Sequence, residues 1–180
     1  PLLSFDGDTV YSYARDVLYR QKTDKTWEQI FYQPVSNFKN CVVRGQKIWL
    51  ETDLWYVHSS DGGNNWSYVS IPCAAAKGMA ASGDTLLFYF EKSGGTRALA
   101  RSTDLGATFQ VINTPVQLEW ISNRSNPFLG RNFGGDWFRS NNGLTDWQPL
   151  WQQVGGHPSL DLVLIGGKSF VATDNGVLSE

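Results

Sequence analysis

The stretch that decides the fold is residues 59–66, Ser-Ser-Asp-Gly-Gly-Asn-Asn-Trp. The side-chain oxygens of Ser59 and Asp61 can accept hydrogen bonds from nearby backbone N–H groups, which folds the chain back on itself. Gly63 can adopt the positive φ that a tight turn often needs. Trp66 begins the returning segment, where it can bury a large apolar face while its N–H finds a partner. Because β-prone residues flank the octet on both sides, it predicts a β-hairpin connection.

Three further octets share parts of this pattern. Residues 102–109 read Ser-Thr-Asp-Leu-Gly-Ala-Thr-Phe, residues 140–147 have Gly one place early and Asn in the Asp position, and residues 20–27 keep only the Thr-Trp end. The terminal aromatic residues stand at positions 27, 66, 109 and 147, so the steps are 39, 43 and 38 residues. A period near forty residues in a β-rich chain is typical of a β-propeller or a similar array.

The octet resembles the Asp-box, also called the bacterial neuraminidase repeat, closely at 59–66 and 102–109 and more loosely at 20–27 and 140–147. In that family the box joins the third and fourth strands of a propeller blade, at the outer edge and away from the usual ligand face. The resemblance therefore implies an all-β propeller of four-stranded antiparallel blades. It does not imply sialidase activity, because the box also occurs in proteins that are not enzymes. The residues to which it gives a structural role are Ser59, Asp61, Gly63, Trp66, Ser102, Asp104, Gly106, Phe109, Ser140 and Trp147.

The repeat register predicts one propeller domain over residues 1–180 with about five blades, at approximately 1–34, 38–72, 77–115, 118–152 and 160–180. Turns at Gly7, Gly45 and Gly83 give a second register with the same period. The fifth blade lacks its fourth strand, because the sequence stops where another octet would begin. A propeller covers its strand edges by closing the ring, so we expect further residues beyond this chain. A strand from a partner and a five-bladed ring with one short blade are the alternatives.

Composition excludes several classes of function. Charged residues make up 18% of the chain and the formal net charge is −2, so no basic surface for nucleic acid is indicated. No apolar stretch approaches eighteen residues, and no membrane span is expected. The chain starts at Pro1 without Met or a signal peptide, which fits a mature or trimmed product and equally a chosen boundary. Since Asp-box proteins are often exported, the resemblance favours a secreted or periplasmic protein, with a cytoplasmic one as the alternative.

The two cysteines leave two interpretations open. Two cysteines do not make a disulfide framework. In the repeat register Cys41 lies on a first, inner strand and Cys73 in the connection to the next blade, and neighbouring blades bring such positions close. A Cys41–Cys73 disulfide is one interpretation, and two buried thiols are the other.

The propeller resemblance places ligands on the face that carries the loops between strands 2 and 3 and between successive blades, which we call the loop face. Loops on a rigid scaffold commonly carry function. The candidate binding residues on this face are Arg15, Asp16, Asp53, Glu91, Lys92, Arg97, Glu119, Trp120, Arg131, His157 and Asp174.

No catalytic residue, metal site or cofactor is assigned from the sequence. Asp61 and Asp104 lie a full repeat apart on separate outer turns, where they cannot share a substrate. The Arg-Ile-Pro motif of sialidases is absent, and Asp16 with Asp53 is the conceivable carboxylate pair of a glycosidase. His58 and His157 are too few and too far apart for a metal signature. No nucleophile elbow or phosphate loop occurs.

The sequence therefore predicts a non-catalytic binding module whose partner is another protein, engaged through the loop face. The alternative is a carbohydrate-active propeller, either a glycan-binding module or a sialidase-like or other glycoside hydrolase. Eight Trp and seven Tyr would suit sugar stacking, although most of them fall on strands, where blade packing explains them.

Overall fold

The computed structural model describes residues 2–34, 37–52, 55–69, 75–92, 97–122, 127–152, 159–166, 168–174 and 176–179. Regular structure within these ranges consists of strands alone. They are β1 (Leu2–Asp6), β2 (Thr9–Ala14), β3 (Val17–Gln21), β4 (Trp27–Tyr32), β5 (Asn40–Arg44), β6 (Lys47–Glu51), β7 (Tyr56–Ser59), β8 (Ser67–Val69), β9 (Ala75–Ser82), β10 (Thr85–Glu91), β11 (Arg97–Ser102), β12 (Gln110–Ile112), β13 (Leu118–Ile121), β14 (Phe128–Asn132), β15 (Trp137–Ser140), β16 (Gln148–Trp151), β17 (Ser159–Ile165), β18 (Lys168–Thr173) and β19 (Gly176–Ser179). Accordingly, the described part of the chain holds no helix that could cross a membrane.

The strands form five antiparallel sheets in chain order. Blades 1 to 4 are β1–β4, β5–β8, β9–β12 and β13–β16, and blade 5 consists of β17–β19 in the described residues. In each blade a strand pairs with the next one along the chain, and the first strands of blades 1 to 4 contact one another in turn. This is the all-β propeller that the repeat period predicts. Each of the four octets connects the third strand of its blade to the fourth.

The second strands of blades 2 and 3, β6 and β10, are mainly apolar because these blades are buried on both faces. Successive side chains of a strand point to opposite faces of the sheet. On β6, Ile48 and Leu50 therefore pack toward blade 1, while Trp49 packs toward blade 3. All three side chains are fully buried. The same alternation along β10 places Phe88 against blade 2 and Leu87 against blade 4.

Four apolar clusters join the five blades in sequence. The cluster between blades 2 and 3 contains Trp49, Met79 and Phe88, and the cluster between blades 4 and 5 contains Trp137 and Val171. Fully burying side chains of this size stabilises a fold by about 1.5–3 kcal/mol each. The remaining faces of the two terminal blades are exposed, as Phe5 on β1 and Val177 on β19 illustrate with 56% and 70% of their surface accessible.

Cys41 lies on β5, as the repeat register predicts, and is fully buried between blades 1 and 2. Burial raises the pKa of its thiol, which disfavours the reactive thiolate. Cys73 is outside the described residues, so the Cys41–Cys73 disulfide stays a prediction.

Candidate functional site

The polar groups of the octet turns hydrogen-bond to one another. In the turn at 59–66, the Asp61 carboxylate accepts hydrogen bonds from the Ser59 hydroxyl at 2.8 Å and from the backbone N–H of Asn65 at 2.9 Å. The Ser59 Oγ in turn accepts from the Gly63 N–H at 2.8 Å. Trp66 donates its indole N–H to the Gly63 carbonyl at 2.9 Å. The turn is thus closed by internal hydrogen bonds, as its sequence predicts.

The turn at 102–109 repeats this network with different donors. Ser102 donates to the Asp104 carboxylate at 2.7 Å, and the backbone N–H of Thr108 donates to the same oxygen at 2.9 Å. The Thr108 hydroxyl adds a bond of 2.6 Å to the other carboxylate oxygen. These hydrogen bonds, with those from Thr108 the largest cause, lower the pKa of Asp104 to about 2. The corresponding bonds from Asn65 and Ser59 lower the pKa of Asp61 to about 2.

The two looser octets supply the carboxylate from another position. In the turn at 140–147, Ser140 donates to Asp146, and the N–H of Asn141 donates to the same carboxylate at 2.9 Å. The carboxylate of Asp146 thus accepts the serine hydrogen bond that Asp61 and Asp104 accept in the other two turns. In the turn at 20–27, Asp24 accepts from the backbone N–H of Thr26 at 2.9 Å. An acidic residue therefore closes every one of these four turns.

The octets of blades 2, 3 and 4 also pack against the blade that precedes each of them. The Trp66 ring lies 4.4 Å from that of Phe31 in blade 1, and Phe109 lies 6.2 Å from Tyr56 in blade 2. Arg20 on β3 donates to the Gly62 carbonyl of the next blade at 3.1 Å. Arg101 makes the equivalent bond of 3.1 Å from blade 3 to a carbonyl in blade 4. These contacts explain the turns as structural links between blades.

The loop face, at the opposite end of the strands, holds a cavity of about 380 Å³ between blades 3 and 4. Its walls come from three separate connections: Lys92 and Arg97 flank the β10–β11 loop, Asn113 and Gln117 lie between β12 and β13, and Phe133 follows β14. Buried apolar side chains close its inner end, namely Leu99, Ile112 and Leu118. A concave apolar floor with a few convergent polar groups is the usual form of a ligand site.

Aromatic rings hold Arg97 at the mouth of this cavity. Its guanidinium carbon lies 4.7 Å from the ring centroid of Phe133 and 5.8 Å from that of Tyr89. Both distances are within the range of a cation–π interaction. Phe133 is 61% exposed, although a large apolar side chain would gain by burial. The mouth therefore presents an oriented cation beside an accessible aromatic surface.

Tyr89 contributes a buried hydroxyl to the same cavity. The residue is 2% exposed, and its hydroxyl makes no hydrogen bond within the described residues. The Arg97 guanidinium is close to this hydroxyl without meeting the geometry of a hydrogen bond. Burial raises the pKa of Tyr89, while the neighbouring Arg97 charge acts in the opposite direction. The phenol is therefore protonated at neutral pH and able to donate a hydrogen bond.

The structure brings two of the predicted binding residues, Lys92 and Arg97, into one site. Arg131 and Trp120 lie on strands instead of in the expected loops, because β14 runs to Asn132 and β13 includes Trp120, and their role in binding stays a prediction. There Arg131 pairs with Glu119 at 2.8 Å, and Trp120 packs edge-on against Trp137 at 5.3 Å. Both side chains support blade 4 rather than line the cavity.

Arg15, Asp16 and Asp174 do not line the cavity. Arg15 is exposed in the β2–β3 turn with a φ of 49°, and its carbonyl accepts from the Phe38 N–H at 2.6 Å. Asp16 is half-buried beside it and also uses its carbonyl, which accepts from the Gln33 N–H. Asp174 is exposed in the β18–β19 turn. Asp53 and His157 are outside the described residues. The Asp16–Asp53 pair of a glycosidase therefore stays a prediction.

Sequence reasoning missed Phe133 and Tyr89. A signal for Phe133 was present, because a large aromatic residue directly before Gly134-Gly135 in a loop is not explained by strand packing. Tyr89 carried no such signal, since it sits within an apolar strand. Within the described ranges, no group of three or more His, Cys, Asp or Glu side chains is arranged to hold a metal ion.

The five antiparallel sheets and their octet turns define the chain as a β-propeller. Neither a protein-family profile nor a curated protein sequence matches the chain. Solved structures do match over 95–96% of its length. One described as YCF48 bound to D1 peptide has a TM-score of 0.64 and 16% identity, and YCF48 from Cyanidioschyzon merolae has 0.62 and 14%. A third, BBS1N in complex with ARL6DN, has 0.59 and 11%.

These likenesses concern the fold alone, because their sequence identities are low. The chain spans about 60% of the length of each of the three matched structures, which is 59%, 62% and 60% respectively. A shared propeller fold does not by itself carry a shared function.

Proposed function

We propose that the chain is a non-catalytic β-propeller module that binds a segment of another protein in the cavity between blades 3 and 4. The observation that carries the proposal is the Arg97 guanidinium stacked on the exposed ring of Phe133 at the cavity mouth. Arginine and large aromatic residues dominate the energetics of protein interfaces. The cavity floor adds apolar surface that a polypeptide side chain could cover.

The matched structures are consistent with this proposal at the level of the fold. One was solved with a D1 peptide bound to YCF48, and another with ARL6DN in complex with BBS1N. In both cases a propeller-containing protein engages a polypeptide. For this chain the proposal rests on the contact between Arg97 and Phe133.

The two carboxylates with lowered pKa serve the octet turns and do not supply a general acid. Asp61 and Asp104 are held ionised by their own turns, whereas a general acid needs a raised pKa. Neither residue lines the cavity. The second candidate function is a glycan-binding module, which the accessible face of Phe133 and the amides of Asn113 and Gln117 favour.

We also propose that the four octets are Asp-boxes, so that the chain belongs to the Asp-box propellers. The shared hydrogen bonds of the turns at 59–66 and 102–109 support this assignment. Secretion or export to the periplasm stays a prediction of the same resemblance.

Site-specific photocrosslinking tests the binding proposal. A photoreactive phenylalanine replaces Phe133 in one variant and Tyr68, an exposed residue on the outer strand of blade 2, in a control variant. We expect a polypeptide adduct from position 133 and none from position 68. The polypeptide identified by mass spectrometry is then purified and titrated, and Phe133→Ala should weaken its binding at least about tenfold while Tyr68→Ala should not.

Two results would contradict the proposal. Equal adducts from both positions would show contact without a defined site. An adduct that contains only glycan would replace the protein partner with the second candidate function.

A further inference from the structure

We infer that the cavity recognises a carboxylate of the bound polypeptide, with the Tyr89 hydroxyl and the Arg97 and Lys92 cations as the subsite. This inference rests on the proposed function, because it assigns a chemistry to the same cavity. The carboxylate comes either from an Asp or Glu side chain or from the C-terminus of the partner. Both sources present the same two oxygens to the subsite.

Tyr89 holds a buried hydroxyl beside the cavity. A buried hydroxyl that lacks a partner destabilises a protein, because its desolvation is not offset by a hydrogen bond. In the described structure Tyr89 is 2% exposed and has no such partner, yet it borders a cavity. Its hydroxyl oxygen is itself sealed from solvent, so a ligand acceptor completes its hydrogen bonding once the lining side chains beside it, Arg97 among them, shift to admit the ligand. As a protonated phenol, Tyr89 offers a donor, and a carboxylate oxygen is the stronger kind of acceptor.

The charge of the cavity lining suits an anionic ligand. The described lining residues include two cations, Lys92 and Arg97, and no carboxylate. The nearby Arg131 does not add to this charge because Glu119 neutralises it at 2.8 Å. Glu91, opposite Arg97 in the β10–β11 pairing, and Glu119 both lie close enough to Tyr89 to raise its pKa, but neither is part of the lining. The local field therefore favours an anionic group over a neutral or cationic one.

The geometry around Arg97 suits a carboxylate. Arg97 is held by two rings, at 4.7 Å and 5.8 Å, so that little side-chain freedom remains to be lost on binding. The planar guanidinium matches the two oxygens of a carboxylate. Neutral donors stand beside it in the side-chain amides of Asn113 and Gln117. A small anion would find donors here, and the apolar floor would contact the rest of the segment.

A peptide array tests the inference with defined probes. Peptides of mixed sequence are synthesised with a free C-terminus, with an amidated C-terminus and internal Asp or Glu, and with an amidated C-terminus in which Asn and Gln replace every acid. Sialyllactose is the glycan arm. We expect the full chain to bind one or both acidic sets and to bind the neutral set at least about tenfold more weakly. The first two sets distinguish the two sources of the carboxylate.

Matched variants link the binding to the subsite. Tyr89→Phe removes only the hydroxyl and should weaken binding of acidic peptides about tenfold, since a hydrogen bond to a charged group is lost. The control Tyr19→Phe, on an exposed residue of blade 1, should leave it unchanged. Arg97→Gln should also cost at least about tenfold and Arg97→Lys less, while Arg139→Gln, at an exposed position of β15, should have no effect. Unfolding midpoints measured in parallel establish that each variant is folded.

The failures are distinguishable. If acidic and neutral peptides bind equally, or if neither Tyr89→Phe nor Arg97→Gln changes the affinity for acidic peptides, the inference is wrong while the proposed function stands. If no peptide binds and no polypeptide crosslinks at position 133, both are wrong. Binding of sialyllactose without any peptide would likewise overturn both.

Discussion

Gly106→Ala is expected to destabilise the chain more than any glycine substitution in an open turn, because the octet at 102–109 packs tightly on blade 2. Gly106 has a φ of +93°, and its N–H donates to Ser102 at 2.8 Å. A Cβ at this position would lie 2.6 Å from Cε1 of Tyr56 and 3.0 Å from its hydroxyl. Tyr56 is fully buried against Phe88 and Phe109 and cannot move aside.

The magnitude follows from two separate costs. An L-residue with a left-handed φ costs roughly 1–2 kcal/mol. Overpacking of a closely packed interior costs about 1–3 kcal/mol more. Gly83, in the β9–β10 turn of the same blade, has a φ of +55°, and a methyl group added there would meet no atom within 4 Å. Gly83→Ala should therefore cost about 1–2 kcal/mol and Gly106→Ala about 2–5 kcal/mol.

Urea unfolding followed by tryptophan fluorescence measures both variants. A domain is typically stable by about 5–15 kcal/mol, so the difference between the two variants should be a clear shift of the midpoint. The m-values should agree with that of the unsubstituted chain, which establishes that the same surface is exposed on unfolding. Equal destabilisation by Gly106→Ala and Gly83→Ala would refute the close packing of this octet on Tyr56.

Two further predictions concern the turns and the blade interior. The pKa of Asp104 is lowered to about 2 from an ordinary value of 3.8, so its contribution to stability is complete above about pH 4 and is lost as the pH falls toward 2. In Asp104→Asn the free energy of unfolding should fall less steeply over this range than in the control Asp8→Asn, and identical acid titrations would contradict the network. Tyr56→Phe should raise the free energy of unfolding by about 1 kcal/mol, because the buried Tyr56 hydroxyl has no partner in the described structure. A lower urea midpoint for Tyr56→Phe would indicate a hidden hydrogen bond.

Much of the fold could be predicted because turn chemistry is local and repeated. Ser59, Asp61 and Gly63 make their hydrogen bonds within the octet, so a short pattern contains all the information that forms the turn. The pattern misses Asp146, because its carboxylate reaches Ser140 from six residues away instead of two. The same hydrogen bonds can thus be made from different spacings, and a fixed pattern finds only one of them.

The cavity could be predicted only in part, because its walls depend on how blades pack. Lys92 and Arg97 are predicted as charged residues near a loop, a property visible in the sequence. Their approach to Phe133 depends on the alignment of blades 3 and 4, which no local pattern encodes. Arg131 illustrates the opposite case, because β14 extends two residues beyond Gly130 and so places Arg131 on the strand, where it pairs with Glu119.

A comparison of the two buried tyrosines, Tyr56 and Tyr89, distinguishes an effect on stability from an effect on binding. Both hydroxyls lack a partner in the described residues, but Tyr56 is enclosed by Phe88 and Gly106, whereas Tyr89 borders a cavity. If each hydroxyl were only a packing defect, both Phe variants would gain stability without further effect. Sites that bind ligands commonly keep such local costs, because a better-packed site would bind less well. We expect Tyr89→Phe to gain stability and to lose affinity for acidic peptides, and Tyr56→Phe to change stability alone. That pair of results would place recognition in the cavity between blades 3 and 4.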